Sequence, residues 1–411
     1  MDMMAMMVKG GCAVIGQERI TEAFAKTSDG VERVTAACYK TIDNTSISYG
    51  WYGAFLVNHK GEVIVNGSDI FGELGLGGGN AMYVNPIKVG TDTDWVKISN
   101  GSDYNSSHTM AIKSDGTLWA TGSNGVGELG LGDNSDRTSF TKVGIDTDWK
   151  DVYCGAKHTI ALKQNGTLWS TGYNAYGQLG LSDSANRNIF TQIGADTDWH
   201  IISCGPYHTM AIKTGGTLWG TGRNNYIQLG LSGTSNRYSF TQIGADTDWS
   251  QVSTAVVHTM AIKSDGTLWG VGNNTNGELG LGDYSNRTSF TQIGAETTWT
   301  NVKTGGGYIG YPLLGSSMAI KSDATLWATG NNDSGQLGLG DTASRNQFTQ
   351  VGNIKSEHIV CGWANVMVIT VNGYIYVSGM NDHAELGVGD VIQRNSLTYR
   401  GEIKMSGRIN L

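Results

Sequence analysis

The chain has 411 residues and a formal net charge of −8, with 60 glycines, 3 prolines and only 16% charged residues. Globular chains usually carry about 25% charged residues, so this surface must be built largely from Asn, Thr, Ser and Gly. The acidic balance without a Lys/Arg run argues against nucleic-acid binding, and no stretch reaches the roughly 20 apolar residues of a membrane span.

Residues 1–30 read as an N-terminal extension. The opening MDMMAMMVKGGCAVIGQERI carries Asp2 and a broken apolar run, which is not the pattern of a signal peptide. Within it Gln17–Lys26 (QERITEAFAK) is expected to form a short helix in an attachment segment. After it one sentence recurs. The glycine of DGTLW falls at Gly116, Gly166, Gly216 and Gly266, with Gly61, Ala324 and Gly373 in the same slot. The GELGLG motif begins at Gly72, Gly127, Gly177, Ile227, Gly277, Gly335 and Ala384. Both rulers count seven units.

Each unit offers four short strands: FTQIG, as at Phe190–Gly194; the segment after the Trp of DTDW, as at Trp199–Cys204; HTMAIK; and TLWGTG. Their Thr, Val, Ile and Trp content suits strands, and the Asp-Gly or Asn-Gly between the last two suits a hairpin. Four-stranded units at this repeat length predict an all-β fold, a seven-bladed β-propeller over residues 31–401 with a tail at 402–411. At the start, Val31–Cys38 (VERVTAAC) matches the strand after DTDW, with no FTQIG before it. At the end, Arg394–Gly401 (RNSLTYRG) matches RNIFTQIG, with no unit after it. The C-terminal strand is therefore expected to complete the first blade and close the ring, removing two exposed sheet edges.

The ordered motifs Cys-Gly-x-x-His-Thr-x-Ala-Leu/Ile, Gly-x-Leu-Trp and Gly-x-Asn-x-x-Gly-x-Leu-Gly resemble the regulator of chromosome condensation repeat, over about Val31 to Gly401. The resemblance is to its bacterial and phage-type members, and it implies the seven-bladed propeller. It does not imply one function, because that family includes a guanine-nucleotide exchange factor, a bacterial β-lactamase inhibitor and phage proteins.

His108, His158, His208 and His258 share one slot, occupied elsewhere by Gly53, Ser316 and Asn365. Zinc ligands lie about 2 Å from the metal, whereas neighbouring sheets pack about 10 Å apart. These histidines therefore read as hydrogen-bonded scaffold. The tryptophans Trp119, Trp169, Trp219, Trp269 and Trp327 read as packing between blades. Arg137, Arg187, Arg237, Arg287, Arg345 and Arg394, most of them four residues after an Asp, read as turn-fixing contacts. The acid pairs Asp92/Asp94, Asp146/Asp148, Asp196/Asp198 and Asp246/Asp248 lack the spacing of a calcium loop and read as turns. Cys154, Cys204 and Cys361 share a slot too, and these together with Cys12 and Cys38 form no CxxC pair. The shared-slot cysteines read as small buried hydrophobes. No GxSxG, HExxH or phosphate loop appears, so no catalytic residue, metal or cofactor is assigned.

Function is sought where the copies disagree. The ADTD loop and the KSDG turn lie at one end of the ring and hardly vary. The loops after the Cys slot and the long connections lie at the other end and vary strongly. The varying loops contribute Trp51, Tyr52, Tyr104, Lys157, Tyr207, Tyr308, Tyr311 and Trp363, and the long connections Tyr176, Tyr226 and His383. Aromatic side chains on the loops of a rigid scaffold mark a binding surface. The reading is a non-enzymatic recognition or structural module, a phage virion component of the tail, baseplate, fibre or decoration type. It would hold other virion proteins through the N-terminal extension and the constant end, and a host-surface ligand on the variable end. Its place is the virion if phage-encoded and otherwise the cytoplasm. The alternatives are a protein-binding regulator, exchange-factor-like or inhibitor-like, and a glycan-acting propeller enzyme.

Overall fold

The computed structural model describes residues 46–308 and 313–402 and, earlier in the chain, the backbone strands Val14–Ile15, Glu18–Arg19, Ala23–Thr27 and Gly30–Val34. Among the described residues there is no α-helix. The chain divides into two compact units, residues 1–43 with 407–411, and residues 44–406.

In the first unit Ala23–Thr27 pairs antiparallel with Gly30–Val34, with Thr27 opposite Gly30, and Val14–Ile15 pairs with Glu18–Arg19. The helix expected over Gln17–Lys26 is thus replaced, in its described part, by extended backbone. So short a helix is marginal without packing, whereas two residues between Thr27 and Gly30 suffice to turn a hairpin. Gly30–Val34 pairs within this unit, and the first described strand of the ring is Ser46–Tyr49. Cys12 and Cys38 lie outside the described residues.

The second unit consists of seven four-stranded antiparallel blades, each running in chain order from its inner to its outer strand. Blade 1 is Ser46–Tyr49, Gly53–Val57, Val63–Ser68 and Met82–Lys88. Blade 2 is Trp95–Asp103, Ser106–Lys113, Leu118–Gly122 and Arg137–Lys142. Blades 3, 4, 5 and 6 begin with Trp149–Cys154, Trp199–Cys204, Trp249–Thr254 and Trp299–Tyr308. The long strand Arg345–Cys361 is the outer strand of blade 6 and then the inner strand of blade 7, which ends with Arg394–Glu402. The inner strands of all seven blades line one central channel of about 520 Å³.

The seven blades are as the sequence predicts, but the ring does not close by strand exchange. Each FTQIG-type strand pairs with the TLW strand before it, as Arg137–Lys142 does with Leu118–Gly122. Arg394–Glu402 accordingly pairs with Tyr374–Gly379 inside blade 7, and blade 1 has its own outer strand, Met82–Lys88. VERVTAAC has the residue pattern of an inner strand, but its described part, residues 31–34, pairs with the strand Ala23–Thr27. The inner strand of blade 1 is SISY at Ser46–Tyr49, which carries none of the repeated words.

Closure uses the contact that joins the other blades. The amide of Gly77 donates to the carbonyl of Thr138 in the next blade (2.7 Å), and Gly132, Gly282 and Gly340 repeat the bond to Asn188, Asn346 and Asn395. Gly389 of blade 7 donates in the same way to Val84 of blade 1 (3.0 Å).

Local chemistry explains the repeated words. In DGTLW, Asp115 Oδ1 accepts from the amide and hydroxyl of Thr117 (3.0 and 2.6 Å), and Thr117 accepts from the indole N–H of Trp119 (2.9 Å). Gly116 has φ 76°, and a Cβ there would meet the carbonyl oxygen of Thr147 at 2.1 Å. The second strands are buried almost along their whole length, as in His158–Lys163, because neighbouring blades cover both faces. The cores therefore lie between blades: Met110, Ile112 and Leu118 of blade 2 pack with Trp149, Val152 and Ala161 of blade 3. Each of the Met, Ile, Leu and Val side chains among them contributes about 1.5–3 kcal/mol when fully buried.

Candidate functional site

The four histidines join successive blades. The Nε2 atoms of His108, His158, His208 and His258 lie 2.9, 3.1, 3.4 and 3.0 Å from the hydroxyls of Thr159, Thr209, Thr259 and Ser317. Each hydroxyl donates its one proton to a main-chain carbonyl, that of Glu128, Gln178, Gln228 or Glu278. The imidazole must then be the donor, which fixes the Nε2–H tautomer. Complete burial pushes each histidine down to about 3, so all four are neutral. They are scaffold, and among the described residues no cluster of three or more His, Cys, Asp or Glu side chains could hold a metal ion.

At the constant end the acid pairs have a different task from the turns expected of them. Lys163 Nζ lies 2.7 Å from Asp146 and 3.0 Å from Asp148, and 4.8 Å from the ring centres of both Trp149 and Trp169. Lys113, Lys213 and Lys263 repeat this arrangement, and Lys321 does so with Glu296. The DTD carboxylates thus hold an internal ammonium between two indoles, an ion pair reinforced by cation–π contact. The arginines are placed as expected: Arg137, Arg187, Arg287, Arg345 and Arg394 each pair with the Asp four residues before. Blade 4 has Gly233 in that slot, and Arg237 turns instead to the carbonyls of Ser232 and Ser235.

One buried slot is carboxylic in some blades and an amide in others. Glu73, Glu128, Gln178, Gln228, Glu278, Gln336 and Glu385 each accept from the amide two residues before them. Burial pushes Glu73 and Glu385 up to about 8, against the pull of those amides. The neutral glutamines Gln178, Gln228 and Gln336 in the same slot show that it accepts an uncharged group.

The variable end surrounds the channel mouth, a cavity of about 120 Å³ lined from every blade by the residues that follow the inner strands. Two aromatic groups flank it. The first sits on the seam between blades 7 and 1. Trp51 stacks on Trp363 with ring centres 3.5 Å apart, and Tyr52 meets Phe71 and His383 edge-on at 5.5 and 5.0 Å. Trp51, Tyr52 and Trp363 are only 5–9% exposed, so their faces are spent on closing the ring. The Tyr52 hydroxyl donates to the carbonyl of Tyr104 (2.5 Å), whose own ring is 59% exposed. Lys157 donates to Asn105 (2.6 Å) and lies 3.5 Å from Asp103.

The second group spans blades 3 to 5. Tyr176 lies 6.0 Å from Tyr173 and 5.6 Å from Tyr207. The Arg223 guanidinium rests against Tyr176, Tyr207 and Tyr226 at 5.3, 5.5 and 5.9 Å from their ring centres. Tyr226 packs on Val256 and Val257 of blade 5. The fold thus brings Tyr176, Tyr207 and Tyr226 together, and Trp51, Tyr52, Trp363 and His383 together elsewhere. Tyr308 ends a described strand but its side chain lies outside the described residues, as does Tyr311 altogether. Sequence reasoning missed Arg223. Its slot holds Ser68, Ser123, Tyr173, Asn273, Asn331 and Met380 in the other blades, each bonded through its amide to the same main-chain position, so the single cation was there to be found.

Seven radially repeated four-stranded sheets around one channel define a β-propeller. Residues 14–311 match the RCC1-like domain, and residues 323–369 match the regulator of chromosome condensation (RCC1) repeat. The chain belongs to the RCC1-like domain family. No curated protein matches its sequence. It is similar in structure to human WBSCR16, at TM-score 0.72 and 19% identity over 82% of this chain and 93% of that one. It is also similar to yeast RCC1 (Prp20) bound to Kap60, at 0.72 and 16% over 87% and 84%. Prp20p of Saccharomyces cerevisiae, studied for its binding to Gsp1p and histones, aligns at 0.71 and 16% over 89% and 87%. At these identities the likeness is one of fold. Among the described residues no helix is long and apolar enough to cross a membrane.

Proposed function

We propose that the chain is a non-enzymatic recognition module that binds a protein partner through the variable end of the ring. The observation that carries this reading is the contrast between the two ends. One repeats the same lysine box blade after blade, as folding requires, while the other surrounds the channel mouth with loops that differ in every blade and carries exposed and half-buried aromatics. Protein binding by Kap60-bound Prp20, and by Prp20p toward Gsp1p and histones, supports the class of partner. The test is capture of a defined partner by wild type and by two variants. Tyr104→Ala with Tyr207→Ala should lose most binding. Ile145→Ala, at an 89% exposed constant-end position occupied by Ala195 and Ala245 in the next blades, should keep it. Equal binding by both variants overturns the reading.

Two narrower forms have support of their own. A virion component, anchored by the N-terminal extension and the constant end, fits the near-identical repeats and the low charge. Purified particles should then contain the chain, and particles without it would remove this form. A regulator that accelerates nucleotide exchange fits the likeness to Prp20, and a GTPase panel showing no acceleration would remove that one.

A further inference from the structure

Among the arginines whose side chains are described, Arg223 is the one whose guanidinium meets neither a carboxylate nor a hydrogen-bond acceptor. Five others pair with an aspartate, Arg237 is held by carbonyls, and Arg400 donates to Asn66. The tyrosine rings around Arg223 contact its charge without accepting its N–H bonds, so its planar fork of donors keeps its hydrogen-bonding capacity. The cage is braced from both sides, by Tyr173 against Tyr176 and by the Val256–Val257 pair against Tyr226, so the guanidinium is held in place before any partner arrives. Tyr207 also lines the channel mouth, which places the cage on the rim of the variable end. Burial holds the phenols of Tyr173 and Tyr207 above their usual range, so both stay protonated.

We propose that Arg223, caged by Tyr176, Tyr207 and Tyr226, is the docking point for a side-chain carboxylate on an acidic segment of a protein partner. The proposal rests on the protein-binding reading of this end of the ring. The charge of the site selects the ligand. Among the described side chains around the cage there is one uncompensated cation, because the nearby Lys157 is committed to Asp103 and Asn105, and the chain as a whole carries −8. One guanidinium fork matches one carboxylate in a bidentate pair and neutralises it, whereas a dianionic phosphate in the same fork would keep one negative charge unpaired.

The probe is a fluorescein-labelled peptide with two glutamates between glycines, titrated against the full chain by anisotropy. Saturable binding is expected, weakened at least about tenfold by Arg223→Asn, since truncating one partner of a charged hydrogen-bonded pair is costly. Asparagine is the natural occupant of this slot in blades 5 and 6, as Asn273 and Asn331, so the variant should fold with an unchanged melting temperature. Arg223→Lys should also bind weakly, because it keeps the charge and loses the fork. Arg237→Asn should bind like wild type. The proposal is overturned if wild type does not bind the peptide at millimolar concentration, or if the glutamine version binds equally well. It is also overturned if Arg223→Asn binds undiminished, or if a phosphotyrosine version binds far more tightly. An undiminished Arg223→Asn together with partner loss in the Tyr104 and Tyr207 variants would remove the carboxylate site and leave the protein-binding reading standing.

Discussion

His158 Nε2 lies 3.1 Å from the hydroxyl of Thr209 in the next blade, and that hydroxyl is itself committed to the carbonyl of Gln178. One side chain thus ties blade 3 to blade 4 through a fixed tautomer. His158→Phe removes the donor and should cost about 1–3 kcal/mol, read as a lower urea midpoint. His158→Asn, the residue found in this slot at Asn365, should recover part of the loss. A midpoint unchanged in both variants would show that the bond contributes nothing.

Stability should have a maximum on the acid side of neutrality. The four histidines bind protons more weakly in the folded chain, at about 3 against an ordinary 6.5, so their contribution is present above pH 6.5 and lost as pH falls toward 3. Glu73 and Glu385 bind protons more tightly when folded, at about 8 against an ordinary 4.5, so their contribution is present below pH 4.5 and lost as pH rises through 8. The two effects oppose one another between pH 4.5 and 6.5 and leave single limbs outside it. Urea midpoints measured across pH 3–9 should fall on both sides. Glu73→Gln with Glu385→Gln should flatten the alkaline limb, whose slope is at most about 1.4 kcal/mol per pH unit for each group.

Lys163→Met leaves Asp146 and Asp148 without their cation and should destabilise the chain by about 1–3 kcal/mol. Adding Asp146→Asn and Asp148→Asn should restore much of the loss, because the repulsion between the carboxylates is then gone. Thermal melts of the single and triple variants decide this, and a triple variant no better than the single would refute the pairing.

Trp363→Ala should cost about 3–5 kcal/mol, because its ring is buried against Trp51 at the closing seam. A double-mutant cycle with Trp51→Ala should return a coupling of about 0.5–1.5 kcal/mol. Tyr104→Ala, at an exposed ring on the same end, should move the midpoint by less than about 0.5 kcal/mol. Equal effects at the two positions would contradict the seam.

The blade count, the strand types, the scaffold role of His108 and its copies and the turn role of the arginines were all legible in the amino-acid order. They depend on local spacing, and the repeat wrote each of them several times. Tertiary structure alone decided the frame of the blades, because whether an FTQIG strand pairs backward or forward is a choice between two neighbours of identical sequence. It also decided the partner of the DTD carboxylates, since Lys163 meets Asp146 and Asp148 only once the blade closes over them. The aromatic residues of the variable end could be named from the sequence but not sorted. Trp51 and Trp363 lie at opposite ends of the ring's chain path and become neighbours through closure, which buries them. Tyr176, Tyr207 and Arg223 come from adjacent blades and meet on the rim, where the guanidinium keeps its donors free.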